Sequence, residues 1–587
     1  MIDRMGFSIY MSATFGPANR VAAKPETSTL SNGAMMSRRP LFALLLAAVA
    51  AAPLSAQART APAITAADLR SRLFRIADDS MMGRETGSKG AFQTAEYVAA
   101  EFKRLGLQPA GEGGGWFQAV PFWVPAPATP ALSVVGGESL RFGTDYIITT
   151  RFTTTPSDSL RVVYGGAASD TSSWIDPVRA AGKLVVLDAR SDPAGMTAVP
   201  NLNPAALTAH FGRSIAVAVA RLDLLSASAI ANAARYIPRQ DTTGVTGRPV
   251  LLLITTRAAD VLLGSSVRSA QPGAIGRTVL GDVGLRWRPT AYPARNVVGI
   301  LPGRDPALRG EYVSLTGHND HVGVCMAPVE HDSMRAFLHV LRPMGADTRT
   351  WNETPAATTQ IRTMIDSMRR IRPPRADSIC NGADDDGTGT AAILELAESF
   401  ATMPMAQRPR RSLLFVSHTA EERGLLGSKW YADHSTVPID SIVAEIDEDM
   451  IGRGTAWDLP AGGPTYLEVV GARRMSNEFG DLLEKANAAM KLPFVFDYEF
   501  DAPGHPLQYY CRADHYSYAR YGIPAVAFSR GEHLDYHQVT DEPQYIDYPD
   551  MLRVVTMVHD AALLIGNADH RPKLDKPKGD PNARCVQ

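Results

Sequence analysis

The chain has 587 residues, 45% of them apolar and 20% charged, with a formal net charge of −2. This length suits roughly two to four domains, and the composition is that of a globular protein with an ordinary core. The near-neutral balance argues against a nucleic-acid or membrane-surface partner, and no stretch beyond the N-terminal region is apolar for long enough to span a bilayer.

At the N-terminus, Arg38 and Arg39 precede an apolar run over 41–54, and Ala56-Gln57-Ala58 follows. A positive flank, a short apolar segment and a small-x-small site predict a cleavable export signal. Residues 1–58 are therefore read as an upstream extension and signal, and the mature protein as exported, periplasmic or secreted. The apolar run is shorter than the ~20 residues that a bilayer core requires, so no stable membrane insertion is expected after cleavage. Residues 1–34 lie upstream of Met35-Met36, where such a signal would ordinarily begin.

Residues 64–107 have the apolar spacing of two helices: Leu69, Leu73 and Ile76 in the first, and Ala95, Val98, Phe102 and Leu105 in the second. The glycine-bearing stretch 82–88 connects them. Proline-rich 121–130 marks a boundary. Over 133–290 the pattern changes to β-branched runs at 146–150, 160–164, 183–187, 215–219 and 250–255, which predict an inserted strand-rich domain without metal-ligand clusters. Strands and helices then alternate to about residue 566, the sign of an α/β fold: a mixed, mostly parallel central sheet with helices on both faces. The expected catalytic domain is 59–132 with 291–566, interrupted by a lid-like insertion at 326–379, and 567–587 is a polar tail. Of the four cysteines, Cys325 and Cys380 bracket that insertion. Their pairing is one expectation, two free thiols the other.

Five acidic and histidine clusters, most of them following an apolar run, carry the chemistry: His318-Asn319-Asp320, Asp384-Asp385-Asp386, Glu421-Glu422, Asp449 and Tyr536-His537. Strand ends form the ligand crevice of open α/β sheets. Two histidines and several carboxylates gathered there suit a pair of borderline-hard divalent cations, zinc first. A spare glutamate beside a ligand glutamate suggests a proton carrier for an attacking water.

The order and context of these clusters resemble the M28 family of zinc-dependent exopeptidases. The matching stretches are Gly317-His318-Asn319-Asp320-His321, Gly382 to Gly389, Ala420 to Ser428, Asp449 to Arg453, Gly522 to Val526 and Tyr536-His537. The likeness covers roughly 64–566, and the strand-rich insertion resembles a protease-associated domain. It implies two Zn2+ per chain, peptide substrates and five ligands: His318, Asp385, Glu422, Asp449 and His537. It also implies Glu421 as general base, Asp320 orienting His318, and Tyr536 stabilising the oxyanion. Asp384 and Asp386 compete with Asp385 for the bridging position, and Asp447 is the rival of Asp449. His321, His418, His505, His515 and His533 are read as supporting or structural. The long 326–379 segment departs from the family, as does Ala513, where a serine commonly precedes Asp514.

The resulting expectation is an aminopeptidase. An acid-preferring carboxypeptidase on the same fold would be marked by converging arginines from among Arg304, Arg423, Arg453, Arg512, Arg520 and Arg530. A glutaminyl cyclase is disfavoured by the insertion, and a non-catalytic receptor by the intact ligand set. A serine hydrolase is disfavoured because no Gly-x-Ser-x-Gly elbow occurs.

Overall fold

The strands 412–418 and 442–448 carry the apolar runs 413–416 and 442–444, and every residue in both strands is buried. Strands of that kind belong at the centre of a sheet covered on both faces. The structure, a computed structural model, describes residues 60–150, 158–189, 204–242, 249–342, 344–348 and 354–587. The expected export signal and the upstream extension lie outside the described residues.

The central sheet has nine strands. Tyr312–His318 lies between Ser412–His418 and Ile442–Glu448, and Ala525–Ser529 follows the latter, all parallel. Toward one edge Ala294–Leu301 runs antiparallel, and toward the other Tyr466–Val470 does the same. Side chains alternate across the sheet as the pleat requires. Leu413 and Phe415 join one core with helices Ala66–Ile76, Lys89–Arg104, Gly389–Thr402 and Tyr548–Asn567. Leu414 and Val416 join the opposite core with Tyr431 and Tyr518, from the helices Leu426–Asp433 and His515–Ala519. The mixed α/β class expected from the alternation is the one observed.

A second sheet of eight strands is built from residues between 131 and 280, with its own apolar core. Four of its strands, Ser159–Ala167, Leu184–Asp188, Ala216–Ala220 and Val250–Ile254, run parallel in that order. Helices Pro204–Phe211, Ala227–Ala234 and Thr256–Leu263 occur among them, so this region is α/β rather than purely strand-rich. The chain enters and leaves it through the antiparallel pair Trp123–Pro127 and Leu285–Pro289.

The described residues of the insertion at 326–379 include a strand pair and two helices. Gly323–Glu330 and Ala376–Cys380 pair antiparallel at its base, and helices His331–Leu341 and Pro355–Arg369 lie between them. Arg335 pairs with Asp535 at 2.8 Å, His331 with Glu542 at 2.9 Å, and Arg375 also pairs with Glu542. The insertion is thus docked on the loop that carries His537. The side chain of Cys325 lies outside the described residues.

The tail is pinned rather than free. Cys511 and Cys585 form a disulfide across a sequence separation of 74. The Gln587 side-chain amide donates to the carbonyls of Phe500 and Ala502 at 3.0 and 3.1 Å and accepts from the Tyr510 N–H at 2.9 Å. Closing so long a loop restricts the unfolded chain, so Cys585→Ala should lower stability by roughly 2–4 kcal/mol in denaturant titration. An unchanged midpoint would show that the tail contributes nothing. Among the described residues no helix is long and apolar enough to cross a membrane.

Candidate metal centre

The C-terminal ends of the parallel strands open on one crevice, and the chemistry gathers there. His318 ends the strand Tyr312–His318, Glu421 and Glu422 follow Ser412–His418, and Asp449 follows Ile442–Glu448. Asp385 lies in the turn before the helix Gly389–Thr402, and His537 comes from the loop under the insertion. Ala420, Met450 and His537 have φ of 60°, 61° and 58°, a left-handed conformation that costs a non-glycine residue energy. All three lie in or beside the ligand-bearing turns, where such strain commonly collects. The surroundings hold these turns: the Glu421 N–H donates to Asp320 at 3.1 Å, and the Thr419 N–H donates to Asn296 at 3.0 Å.

Asp385 is the hinge of the arrangement. Its Oδ1 lies 3.3 Å from His318 Nε2, which is also 3.7 Å from Asp449 Oδ1. Its Oδ2 lies 2.9 Å from His537 Nε2 and 3.7 Å from His321 Nδ1. Glu422 reaches His537 at 3.0 Å and His321 at 2.7 Å. Two groups able to hold a metal result, His318–Asp385–Asp449 and His321–Asp385–Glu422–His537, with Asp385 common to both. His318 Nε2, His321 Nδ1, Asp385 Oδ2, Glu422 Oε1, Asp449 Oδ1 and His537 Nε2 are buried and engage in no hydrogen bond. Buried polar atoms are ordinarily satisfied, and nitrogen and carboxylate donors that face only one another across a shared centre fit zinc. Asp449 and His537 are the more exposed members, with side chains 19% and 31% accessible, so the crevice opens on their side.

The electrostatics agree. Burial alone would raise the Asp385 carboxyl, but His321, His318 and His537 hold it well below the usual carboxylate range. Glu422, opposed by burial and by Asp385, is drawn down to about 2 by His537 and His321. Glu421 goes the other way: burial and the neighbouring carboxylates of Glu422 and Asp449 push it well above its ordinary value, against the pull of His318. Adjacent glutamates in one turn are thereby driven apart, the pattern of a ligand beside a proton carrier.

Of the remaining expected residues, Asp320 accepts from the Thr86 hydroxyl at 2.8 Å and from the Glu421 N–H. His318 Nδ1 is 3.1 Å from the Asp320 carbonyl and 3.7 Å from its carboxylate, so main chain and side chain of that residue both face the ring. The Tyr536 ring stacks on His537 with centroids 3.8 Å apart, and Tyr536 lines the cavity shared by Asp385, Glu421 and Asp449. The rivals are otherwise engaged. Asp386 accepts from the N–H groups of His318 and Gly389 at 2.9 and 2.8 Å, and Asp384 from the Gly452 N–H at 2.6 Å. Asp447 accepts from the Thr316 hydroxyl at 2.9 Å. His418 and His515 are buried away from both groups, and burial lowers each to about 3.

Two residues were missed by sequence reasoning. His321, read as supporting, stands inside the second group. Arg84 is fully buried behind the ligand turns and donates to the carbonyls of Asn319, Asn381 and Gly382 at 3.1, 2.5 and 2.8 Å. Its approach requires Gly83, where φ is +65° and a Cβ would lie 2.4 Å from the Gly323 carbonyl.

Residues 296–562 match the model of peptidase family M28. This part of the chain belongs to that family. A relative named leucine aminopeptidase 1, from Paracoccidioides brasiliensis, is 31% identical over 184 residues, 30% of this chain and 44% of the relative. A probable zinc metalloprotease from Pyricularia oryzae is 25% identical over 218 residues, 32% of this chain and 42% of that protein. The chain therefore spans less than half the length of these relatives. Among solved structures, BSAP, a zinc aminopeptidase from Bacillus subtilis, is 15% identical with a TM-score of 0.41, covering 86% of this chain and 95% of that one.

Proposed function

We propose that this M28 member is an exported exopeptidase with two zinc ions, an aminopeptidase that removes N-terminal residues from peptides. The observation that carries the reading is the Asp385 carboxylate, whose two oxygens face two separate ligand groups while Glu421 stands beside both without belonging to either. His318 and Asp449 would hold one ion, Glu422 and His537 the other, and His321 lies close enough to compete for or support the second. Zinc bound there supplies Lewis-acid polarisation of the substrate carbonyl and acidifies the attacking water. Glu421 takes the proton of that water and returns it to the leaving amine; a carboxyl raised by burial is suited to both transfers. Tyr536 presents a phenol to the same cavity, positioned to stabilise the tetrahedral oxygen.

The arginines favour release from the N-terminus. Arg453 pairs with Asp458 and Asp535, Arg520 with Asp433, Arg423 with Glu85, and Arg530 with Asp550 and backbone carbonyls. Arg304 lies on the surface against the Arg408 carbonyl. Only Arg512 of the six lines the cavity, where Glu532 already holds it at 2.8 Å. Among the described residues that line the cavity, no converging set of arginines is present for a substrate carboxylate.

The test is metal analysis of the mature protein with hydrolysis of aminoacyl-p-nitroanilides and of N-blocked peptides. About two zinc ions per chain with activity on free N-termini is the expected result. Activity confined to N-blocked peptides would replace it with a carboxypeptidase, and a metal-free protein under zinc-replete conditions would remove the enzyme reading.

A further inference from the structure

The insertion at 326–379 is spliced between two ligand-bearing stretches. Its entry strand Gly323–Glu330 begins just after His321, and its exit strand Ala376–Cys380 ends just before the Asp385 turn. The chain between these strands returns to the loop that carries Tyr536 and His537 and grips it on both sides of the histidine. On the near side Arg335 donates to Asp535 at 2.8 Å, Arg342 to the Leu534 carbonyl at 3.3 Å, and the Ala346 N–H to the Glu532 carbonyl at 3.0 Å. Gly345 permits that last approach: its φ is +60°, and a Cβ there would lie 2.1 Å from the Glu532 carbonyl oxygen. On the far side His331 and Arg375 both pair with Glu542. The Arg335 guanidinium also lies 3.5 Å from the centroid of the Tyr545 ring, a favourable cation–π contact.

Asp535 is where this grip reaches the metal group. It is fully buried and directly precedes Tyr536 and His537. Besides Arg335, its carboxylate accepts from Arg453 at 2.9 Å and from the Thr540 hydroxyl at 2.6 Å. The last bond closes the turn around His537 from within, while Arg335 holds it from the insertion. That turn needs holding. His537 has a φ of 58°, and its side chain, 31% accessible, is less enclosed than those of His321, Asp385 and Glu422. A residue in this conformation persists where its surroundings over-determine it. None of the described insertion residues is among those lining the cavity beside Asp385 and Glu421.

We infer that the insertion is a buttress for the second metal position, and that Arg335 is a positioning residue which, through Asp535, fixes the turn presenting Tyr536 and His537. The inference rests on the two-ion reading of the site. Arg335 acts at a distance from substrate, so its effect falls on the hold of the His537 group for its ion.

The test compares Arg335→Gln and Arg335→Lys in two backgrounds of the mature chain. Asp449→Asn leaves the ion of the His537 group, and Glu422→Gln leaves that of the His318 group. Arg335→Gln keeps Asp535 paired with Arg453, so no buried charge is stranded and the chain should fold. The measurement is zinc affinity by competition with a chromophoric chelator. Outer partners that orient a metal ligand are worth about 10–100-fold in affinity, so Arg335→Gln should weaken the ion of Asp449→Asn by about tenfold or more. It should leave the ion of Glu422→Gln unchanged, and Arg335→Lys should recover most of the loss. Equal weakening in both backgrounds would make Arg335 a general stability residue, and unchanged affinity in Asp449→Asn would free the loop from the insertion; either overturns the inference. Should Arg335→Gln not fold, His331→Gln, which cuts the grip at Glu542 alone, is read by the same outcomes. With both ions retained, a rise in KM alone on aminoacyl-p-nitroanilides for Arg335→Gln in the otherwise wild-type chain would make the insertion a lid over substrate, also overturning it. A zinc-replete wild type that binds no metal would remove the two-ion reading itself.

Discussion

Glu421→Gln is expected to retain its zinc and its thermal stability while losing roughly 10²–10⁴ in kcat, the usual contribution of a positioned general base. The substitution keeps the volume of the side chain. It also keeps the main-chain N–H that donates to Asp320 at 3.1 Å, so the turn has no reason to move. Glu421 belongs to neither ligand group, and its closest approach to a ligand histidine is 3.9 Å, to His318 Nε2. What an amide cannot do is accept a proton and return it. Burial together with Glu422 and Asp449 raises the carboxyl of Glu421, which makes the wild-type group a stronger base than a surface glutamate. Metal analysis beside steady-state kinetics on an aminoacyl-p-nitroanilide checks both halves. Full activity in the variant would remove Glu421 from the proton path, and loss of zinc would make it a ligand.

The placement of the candidate residues was legible where a residue type and a strand end coincide, and illegible where the outcome depends on how one turn is laid down. His318, Glu422 and Asp449 each end or follow a run of buried apolar residues, so their place at the crevice follows from the pattern. Asp384, Asp385 and Asp386 are indistinguishable as letters. The backbone separates them by giving Asp386 the N–H groups of His318 and Gly389 and Asp384 that of Gly452, which leaves Asp385 to face the crevice. His321 escaped for a related reason: it follows Asp320 directly, and only the folded turn shows that it faces Glu422 and not the core.

Long-range partners carried no local signal at all. Arg84 is 235 positions from Asn319, and nothing in its neighbourhood of sequence announces a buried guanidinium. The Cys511–Cys585 bridge likewise depends on the path of the chain, since four cysteines allow about three connectivities. In the second sheet the β-branched strands were readable, but helices of eight residues such as Pro204–Phe211 and Ala227–Ala234 are too short to establish a period.

Asp385→Asn should empty both metal positions together, and this is the largest effect expected of any single ligand. One oxygen of the carboxylate would become an NH2 group, which offers hydrogens where a cation or a histidine nitrogen now faces an acceptor. Because Oδ1 lies toward His318 and Oδ2 toward His537 and His321, the swap harms one group whichever way the amide is turned. The lost negative charge weakens both. Removing a mere outer hydrogen-bond partner of a metal ligand costs about 10–100-fold in affinity, and deletion of a shared ligand should exceed that for each ion. Asp449→Asn is the control, since Asp449 belongs to the His318 group alone. Zinc stoichiometry after dialysis against a weak chelator should fall from about two to below one in the first variant and to about one in the second. Were Asp385→Asn to keep one tightly bound ion, the carboxylate would be an ordinary ligand of a single metal. The second group would then stand on His321, Glu422 and His537 without it.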